Sequence, residues 1–291
     1  MRFAIRAYGQ FFIFALLIFF LPGTSVFAEE MIDSSEPVVE EYYGPKITVN
    51  VPARQLKLYD EADKLVKVYT VAVGQGRYPT PIGKRKMDLL VWNPWWIPPK
   101  ESAWAKNEKD TPPGPRNPLG PVKMKMGGGI MFHGTTKPQS VGEPASHGCM
   151  RMLSEQAIEL ADWLQRHVLN NKTDATNYEE FMANVQKHKR TSYYVGIERP
   201  VPVDIIYDIV EIADKKINIY RDVYFKVKDK MRTIEEELVS AGYDPQKFDW
   251  DYIKQEIKLA KNKKDLSFDI EMLLIKNKEL RNKQETVATV E

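Results

Sequence analysis

Three short runs of strand-like sequence follow one another between Lys46 and Gly74. In KITVNV, Ile47, Val49 and Val51 alternate with more polar neighbours; in QLKLYD, Leu56 and Leu58 do the same; LVKVYTVAVG is dense in β-branched residues. A period of two sends successive side chains to opposite faces, which is how a half-buried strand reads. Pro52-Ala53 and Glu61-Ala62-Asp63 interrupt the runs as turns. Consecutive short strands separated by turns specify an antiparallel meander, so the body of this chain is built on a sheet.

The pattern continues past Gly83. KMDLLVW, then VKMKM and IMFH on either side of Gly127–Gly129, read as further strands. Between them, GQGRYPTPIG is a loop, and residues 93 to 121 hold eight prolines together with Trp95, Trp96 and Trp104. A proline-rich loop of this length inside a compact domain is commonly functional. Two readings stand side by side: a wall or lid over an extended ligand, or tryptophans pinning the loop to the core. Ser154 is placed to cap a helix running to about Asn170, with Ala157, Ala161, Leu164 and Val168 on one face. Thr176 with Glu179 resembles a capping box for a second helix. TSYYVGI, VPVDIIYDIVEI and KINIYRDVYF return to strand, and from about Asp222 to Leu280 the chain reads helical with breaks at GYDP and KDLS.

The N-terminus carries Arg2 and Arg6, then an apolar run from Phe11 to Leu21, a Pro22-Gly23 break and Val26-Phe27-Ala28. These are the three parts of a secretory signal cut after Ala28, the alternative being an uncleaved anchor; the apolar run is short for a stable span. The expected organisation is a signal over 1–28, an acidic linker over 29–45, a catalytic domain over 46–197, a strand pair with a largely helical region over 198–280, and a disordered tail over 281–291. Lys and Arg number 42 against 40 Asp and Glu, so no basic stripe points to a nucleic acid partner.

An exported chain with one cysteine cannot form an internal disulfide, and an odd thiol in that setting is reactive, pairs with another molecule, or is buried as a small apolar residue. Cys149 lies in SHGCMRM. A thiol attacks as thiolate, and its pKa falls beside an imidazole, a cation or a helix N-terminus. His133 and His147, Arg151 and the helix expected near Ser154 supply all three. Either histidine qualifies as the base. A strand end can present His133 rigidly, leaving His147 to orient the thiol or bind substrate, although spacing alone leaves the two about equal. Gly148 allows close backbone approach, and its amide and that of Cys149 are candidate oxyanion donors. His133, His147 and Cys149 also form a legitimate zinc set, the rival reading, although no H-E-x-x-H helix and no second cysteine accompany them.

His133, then Ser146, His147, Gly148, Cys149, Met150 and Arg151 in order, resembles the catalytic motif of the L,D-transpeptidases of bacterial cell walls. YPTPIG and NPLG, at Tyr78–Gly83 and Asn117–Gly120, are also similar to that family, and the likeness covers about Lys46 to Leu169. Arg85 departs from it, standing where the family often has an aromatic or apolar residue. The resemblance implies a mainly β catalytic domain, sandwich-like or barrel-like with a few helices, followed by a mixed, largely helical C-terminal region. It implies a cysteine acyltransferase in the periplasm or cell envelope that needs neither cofactor nor metal. Cys149 would take the acyl group from the third residue of a peptidoglycan tetrapeptide stem, releasing D-Ala, with His133 as base. Ser146, His147 and Gly148 would orient the thiol and form the oxyanion site, while Arg151, Gly134 and Thr135 would bind substrate. An acceptor amine then gives a 3-3 cross-link. Capture by water would give an L,D-carboxypeptidase, capture by an outer-membrane lipoprotein would attach that protein to the wall, and a non-enzymatic peptidoglycan-binding module is the remaining alternative.

Overall fold

The computed structural model describes residues 44–168 and 175–288. The signal and almost all of the linker lie outside them. Among the described residues no helix is long and apolar enough to cross a membrane.

The meander forms as its alternation dictates. Strands β1 (Lys46–Asn50), β2 (Gln55–Tyr59) and β3 (Leu65–Thr70) pair antiparallel in sequence order. They open an eight-stranded curled sheet that also contains β5 (Gly83–Trp92), β6 (Val122–Lys125), β7 (Met131–His133), β9 (Met150–Arg151) and β10 (Tyr193–Ile206). The order across it is β3-β2-β1-β10-β5-β6-β7-β9. A short parallel pair, β4 (Val73–Gly74) with β8 (Pro144–Ser146), stands beside it.

β10 is the long-range closure. It runs parallel to β1, with Ile47 opposite Val203, and antiparallel to β5, with Ile205 opposite Gly83. Its register slips between Gly196 and Val201, a bulge that includes Pro200, whose missing N–H cannot serve a ladder. The sheet therefore continues through Ile206, beyond the expected domain end at Ile197.

Helix α1 (Ser154–Val168) packs on β6, β7 and β10 and adds Ala157, Leu160, Ala161 and Leu164 to the buried cluster that contains Trp92 and Phe132. That i, i+3, i+4, i+7 spacing is one helical stripe. Ser154 does not cap α1 with its hydroxyl, which donates instead to the Thr135 carbonyl; the Leu153 carbonyl takes the Ala157 N–H. Helix α2 (Ala175–Lys187) follows.

Beyond Ile206 the chain builds a second apolar cluster around Ile217, Ile234, Leu238 and Ile253. β11 (Val210–Ala213), β12 (Lys216–Ile219) and β13 (Leu266–Asp269) make a three-stranded antiparallel sheet carrying α3 (Lys230–Ser240), α4 (Trp250–Ala260) and α5 (Ile270–Ala288). The sequence reading differs here at three places. Residues 222–228 are an irregular strap, not a helix, because Asp222 accepts the Lys226 and Val227 amides and turns the chain. Residues 266–269 are a strand, because Ile217 finds Phe268 as its cross-strand neighbour. Helix α5 runs to Ala288, across most of the expected disordered tail.

Candidate active site

Alternation in two short strands creates the site. Phe132 and Met150 face each other across the β7–β9 ladder and are fully buried. Their neighbours must then point to the other face. Those neighbours are His133, Cys149 and Arg151, with His133 opposite Arg151 in register. All three line a cavity of about 390 Å³ that also touches Ser146, Trp104 and Lys137. A larger cavity of about 810 Å³ lies beyond Thr135 and Thr136, among Trp92, Met182 and Val185. It reaches neither Cys149 nor His133, so the smaller one is the chemically relevant one.

His133 is buried, and its Nδ1 lies 2.5 Å from the Gly134 carbonyl oxygen. A carbonyl only accepts, so Nδ1 carries the hydrogen and Nε2 is left as the basic nitrogen. Burial holds the imidazole well below its ordinary value, at about 4. The Arg151 and Lys123 cations push the same way, and the Gly134 carbonyl opposes them. The ring is therefore neutral at pH 7.

Cys149 is half-buried at the floor of the cavity. Its sulfur lies 3.3 Å from the Gly129 carbonyl oxygen, as donor. Burial pushes the thiol up, and the Met131 amide and the Arg151 guanidinium only partly oppose that shift. Burial thus works against the thiolate that the sequence reading expected an imidazole, a cation and a helix start to stabilise, while Arg151 works for it. The resting pair is a neutral thiol with a neutral imidazole.

The turn preceding the sulfur is set by Ser146 and Gly148. The Ser146 hydroxyl donates to the Cys149 carbonyl at 2.5 Å and accepts the Gly148 N–H at 3.0 Å. Gly148 has φ +111°, a conformation that costs a side-chain-bearing residue strain. Because Ser146 occupies the Gly148 amide, that amide is not a free oxyanion donor, contrary to the expectation from sequence. The amides of His147 and Cys149 carry no hydrogen bond among the described residues.

His147 is exposed and lines the same cavity as Cys149 and His133, its ring held by aromatic neighbours. Trp104 stacks on its ring at 4.1 Å and 8°, and Tyr78 tilts against it at 4.8 Å. Burial together with Arg151 and Lys137 lowers its pKa. The proline-rich loop thus contributes an aromatic wall to the cavity. It is also pinned from within: buried Asn117 donates to the carbonyls of Pro94, Thr111 and Pro112 and accepts the Leu119 amide. The tryptophans do not pin the loop to the core: Trp95 is exposed, Trp104 stacks on His147, and Asn117 does the pinning.

Arg151 has no carboxylate partner among the described residues. Thr135 accepts the Lys137 amide through its hydroxyl, a turn-forming role, while also lining the cavity. Among the described residues, no three His, Cys, Asp or Glu side chains are grouped to hold a metal ion. Arg85 reaches the β6–β7 turn, its guanidinium 3.5 Å from where a Cβ on Gly128 would stand. Sequence reasoning passed over Thr80. Its only signal was its place in YPTPIG, yet it is fully buried and its hydroxyl donates to the Gly148 carbonyl at 2.9 Å.

The sequence profile of the YkuD L,D-transpeptidase catalytic domain matches residues 44–203. YkuD of Bacillus licheniformis, named as a candidate L,D-transpeptidase, is 34% identical over 40% of this chain and 58% of its own. ErfK/SrfK of Escherichia coli, with a similarly qualified name, is 26% identical over 48% of this chain and 49% of its own. The chain thus spans about half the length of the curated relatives it matches. A solved L,D-transpeptidase from Mycobacterium smegmatis overlays 56% of this chain and 58% of its own at 11% identity and TM-score 0.36, too loosely to transfer geometry. The profile spans more than half of the 291 residues and includes His133 and the whole SHGCMRM segment. By that match the chain belongs to the L,D-transpeptidase catalytic-domain family.

Proposed function

We propose that the protein is an exported L,D-transpeptidase of the cell envelope that acts through a Cys149 thioester. The observation that carries the proposal is the sharing of one cavity face by Cys149, His133 and Arg151, with His133 tied at Nδ1 so that Nε2 is free. In the proposed reaction, Sγ attacks the carbonyl of the third stem residue as the thiol proton passes to Nε2 of His133. The His147 and Cys149 amides receive the developing oxyanion. The imidazolium then protonates the nitrogen of the departing D-Ala, the C–N bond breaks, and the thioester remains. An acceptor amine attacks the thioester carbonyl and loses its proton to His133; the C–S bond breaks, the proton returns to Sγ, and the product is a 3-3 cross-link. Arg151, unpaired in the cavity, suits a stem carboxylate.

Incubation of the full chain with tetrapeptide-bearing muropeptides tests the reading. Cross-linked dimers with D-Ala release are expected, and Cys149→Ala is expected to form none. Tripeptides alone would mean that water takes the acyl group. Absence of any Cys149-dependent product, with or without an added lipoprotein acceptor, would refute the acyl-enzyme.

A further inference from the structure

The lobe beyond Ile206 has no role in the reaction just described, yet it reaches the catalytic turn. The Tyr224 hydroxyl donates to the Gly74 carbonyl at 2.8 Å and accepts the Thr80 N–H at 2.9 Å. Thr80 passes the constraint on. Its hydroxyl accepts the Gly74 N–H at 2.8 Å and donates to the Gly148 carbonyl at 2.9 Å. The turn between Gly74 and Thr80 is closed tightly: a Cβ on Gly74 would stand 2.2 Å from the Tyr78 oxygen and 2.5 Å from the Thr80 nitrogen.

Tyr224 is itself fixed from the C-terminal side. Its N–H donates to the Tyr207 hydroxyl at 2.7 Å, the two rings stack at 5.5 Å, and the Tyr207 hydroxyl donates to Asp222, which is buried. A second anchor lies nearby. Asp265 pairs with buried Arg54 and accepts the Arg221 amide, and Arg221 reaches Glu143 at 3.1 Å, one residue before β8. The added lobe is therefore tied to β4, through Gly74, and to Glu143, just before β8, the strand that leads into the SHGCMRM turn.

We propose that Tyr224 is a positioning residue for catalysis: through Thr80 it fixes the carbonyl of Gly148, and hence the Cys149 amide in the same peptide unit. The peptide unit of Gly148 and Cys149 is planar, so the Gly148 carbonyl and the Cys149 N–H are held as one rigid plate. Releasing the carbonyl lets the amide swing. The inference rests on Cys149 being the residue acylated.

The experiment separates oxyanion support from thiol reactivity. Acylation by 4-nitrophenyl acetate joins Sγ to the carbonyl carbon, expels nitrophenolate and hands the thiol proton to His133; it needs oxyanion support. Alkylation by iodoacetamide displaces iodide at a saturated carbon and needs none. In the full chain, Tyr224→Phe keeps the ring and removes the hydroxyl. It is expected to slow acylation about 10-fold, on the scale of a small misplacement of a reacting group, with alkylation unchanged. Thr80→Val is expected to do the same, Thr80→Ser to restore the wild-type rate, and the double variant to be no worse than the worse single one. Wild-type acylation rates in Tyr224→Phe, or equal loss of acylation and alkylation, would overturn the assignment. A wild-type protein that is alkylated at Cys149 but never acylated would overturn the thioester reading as well.

Discussion

If His133 is kept neutral by burial, the protein must lose stability in acid in a way that depends on that one residue. The imidazole has an ordinary value of 6.5 and is held at about 4 in the fold. Between those two values the unfolded chain binds a proton that the folded chain refuses, so stability falls as pH falls. Above 6.5 both states are neutral at this residue and the effect vanishes; below about 4 the penalty is fully present. At about 1.4 kcal/mol per pH unit, the gap amounts to about 3 kcal/mol. That is a large share of the roughly 5–15 kcal/mol that holds a typical domain together. Urea unfolding of wild type and His133→Gln between about pH 7 and pH 4 measures it, because carboxylates common to both proteins cancel in the difference. Whatever the variant's stability at neutral pH, it is expected to gain about 3 kcal/mol on wild type across the range. A difference that stays constant with pH would mean the ring titrates normally, and the neutral buried base would be refuted.

Other outcomes follow from single contacts. Asn117→Ala strips partners from three carbonyls and the Leu119 amide in a buried site, and should lower stability by about 3 kcal/mol in urea unfolding. Trp104→Ala removes the stacked face of His147 and should raise KM for a stem peptide while lowering stability in urea unfolding by about 1 kcal/mol. Arg151→Gln removes a cation that depresses His133, so the acid limb of kcat/KM should move to higher pH. The same change should raise KM for carboxylate-bearing stems about 10-fold, and an unmoved acid limb would count against the coupling.

What the sequence disclosed, and what it concealed, follows the range of the interactions. The meander was legible because Ile47, Val49, Leu56 and Leu58 alternate locally and each turn closes within a few residues. The place of β10 was not, because nothing near Val203 announces Ile47 as its neighbour 156 positions away in the chain. Likewise the irregular strap at 222–228 hangs on Asp222 taking backbone amides, and its apolar and aromatic residues imitate a strand running into a helix. In the site, the residue types were legible and their states were not. SHGCMRM named the thiol, but the direction of its pKa depends on how completely surrounding strands exclude water, which no local pattern records. Gly148 was read correctly as a point of backbone freedom, while the engagement of its amide by Ser146 became visible only in the folded turn.

The neutral resting pair follows from the charges around it, and it has consequences for both halves of the proposed reaction. Lys123, Lys137 and Arg151 border the cavity, and among its lining residues Glu101 alone is acidic. Cations favour an oxyanion and a thiolate but penalise an imidazolium. A thiolate–imidazolium pair is therefore favoured on the sulfur side and opposed on the ring side, and burial raises the cost of both charges. Proton transfer to His133 is then most favourable when it coincides with bond formation, as negative charge moves from sulfur to the substrate oxygen and into reach of the backbone amides. Once formed, an imidazolium with a pKa near 4 is a strong acid, well matched to protonating a departing amine. A stem carboxylate seated on Arg151 would offset the cation that depresses the ring, making the base stronger only when substrate is in place. The same electrostatics that keep the thiol and imidazole neutral in the empty site would thus favour proton transfer between them on binding.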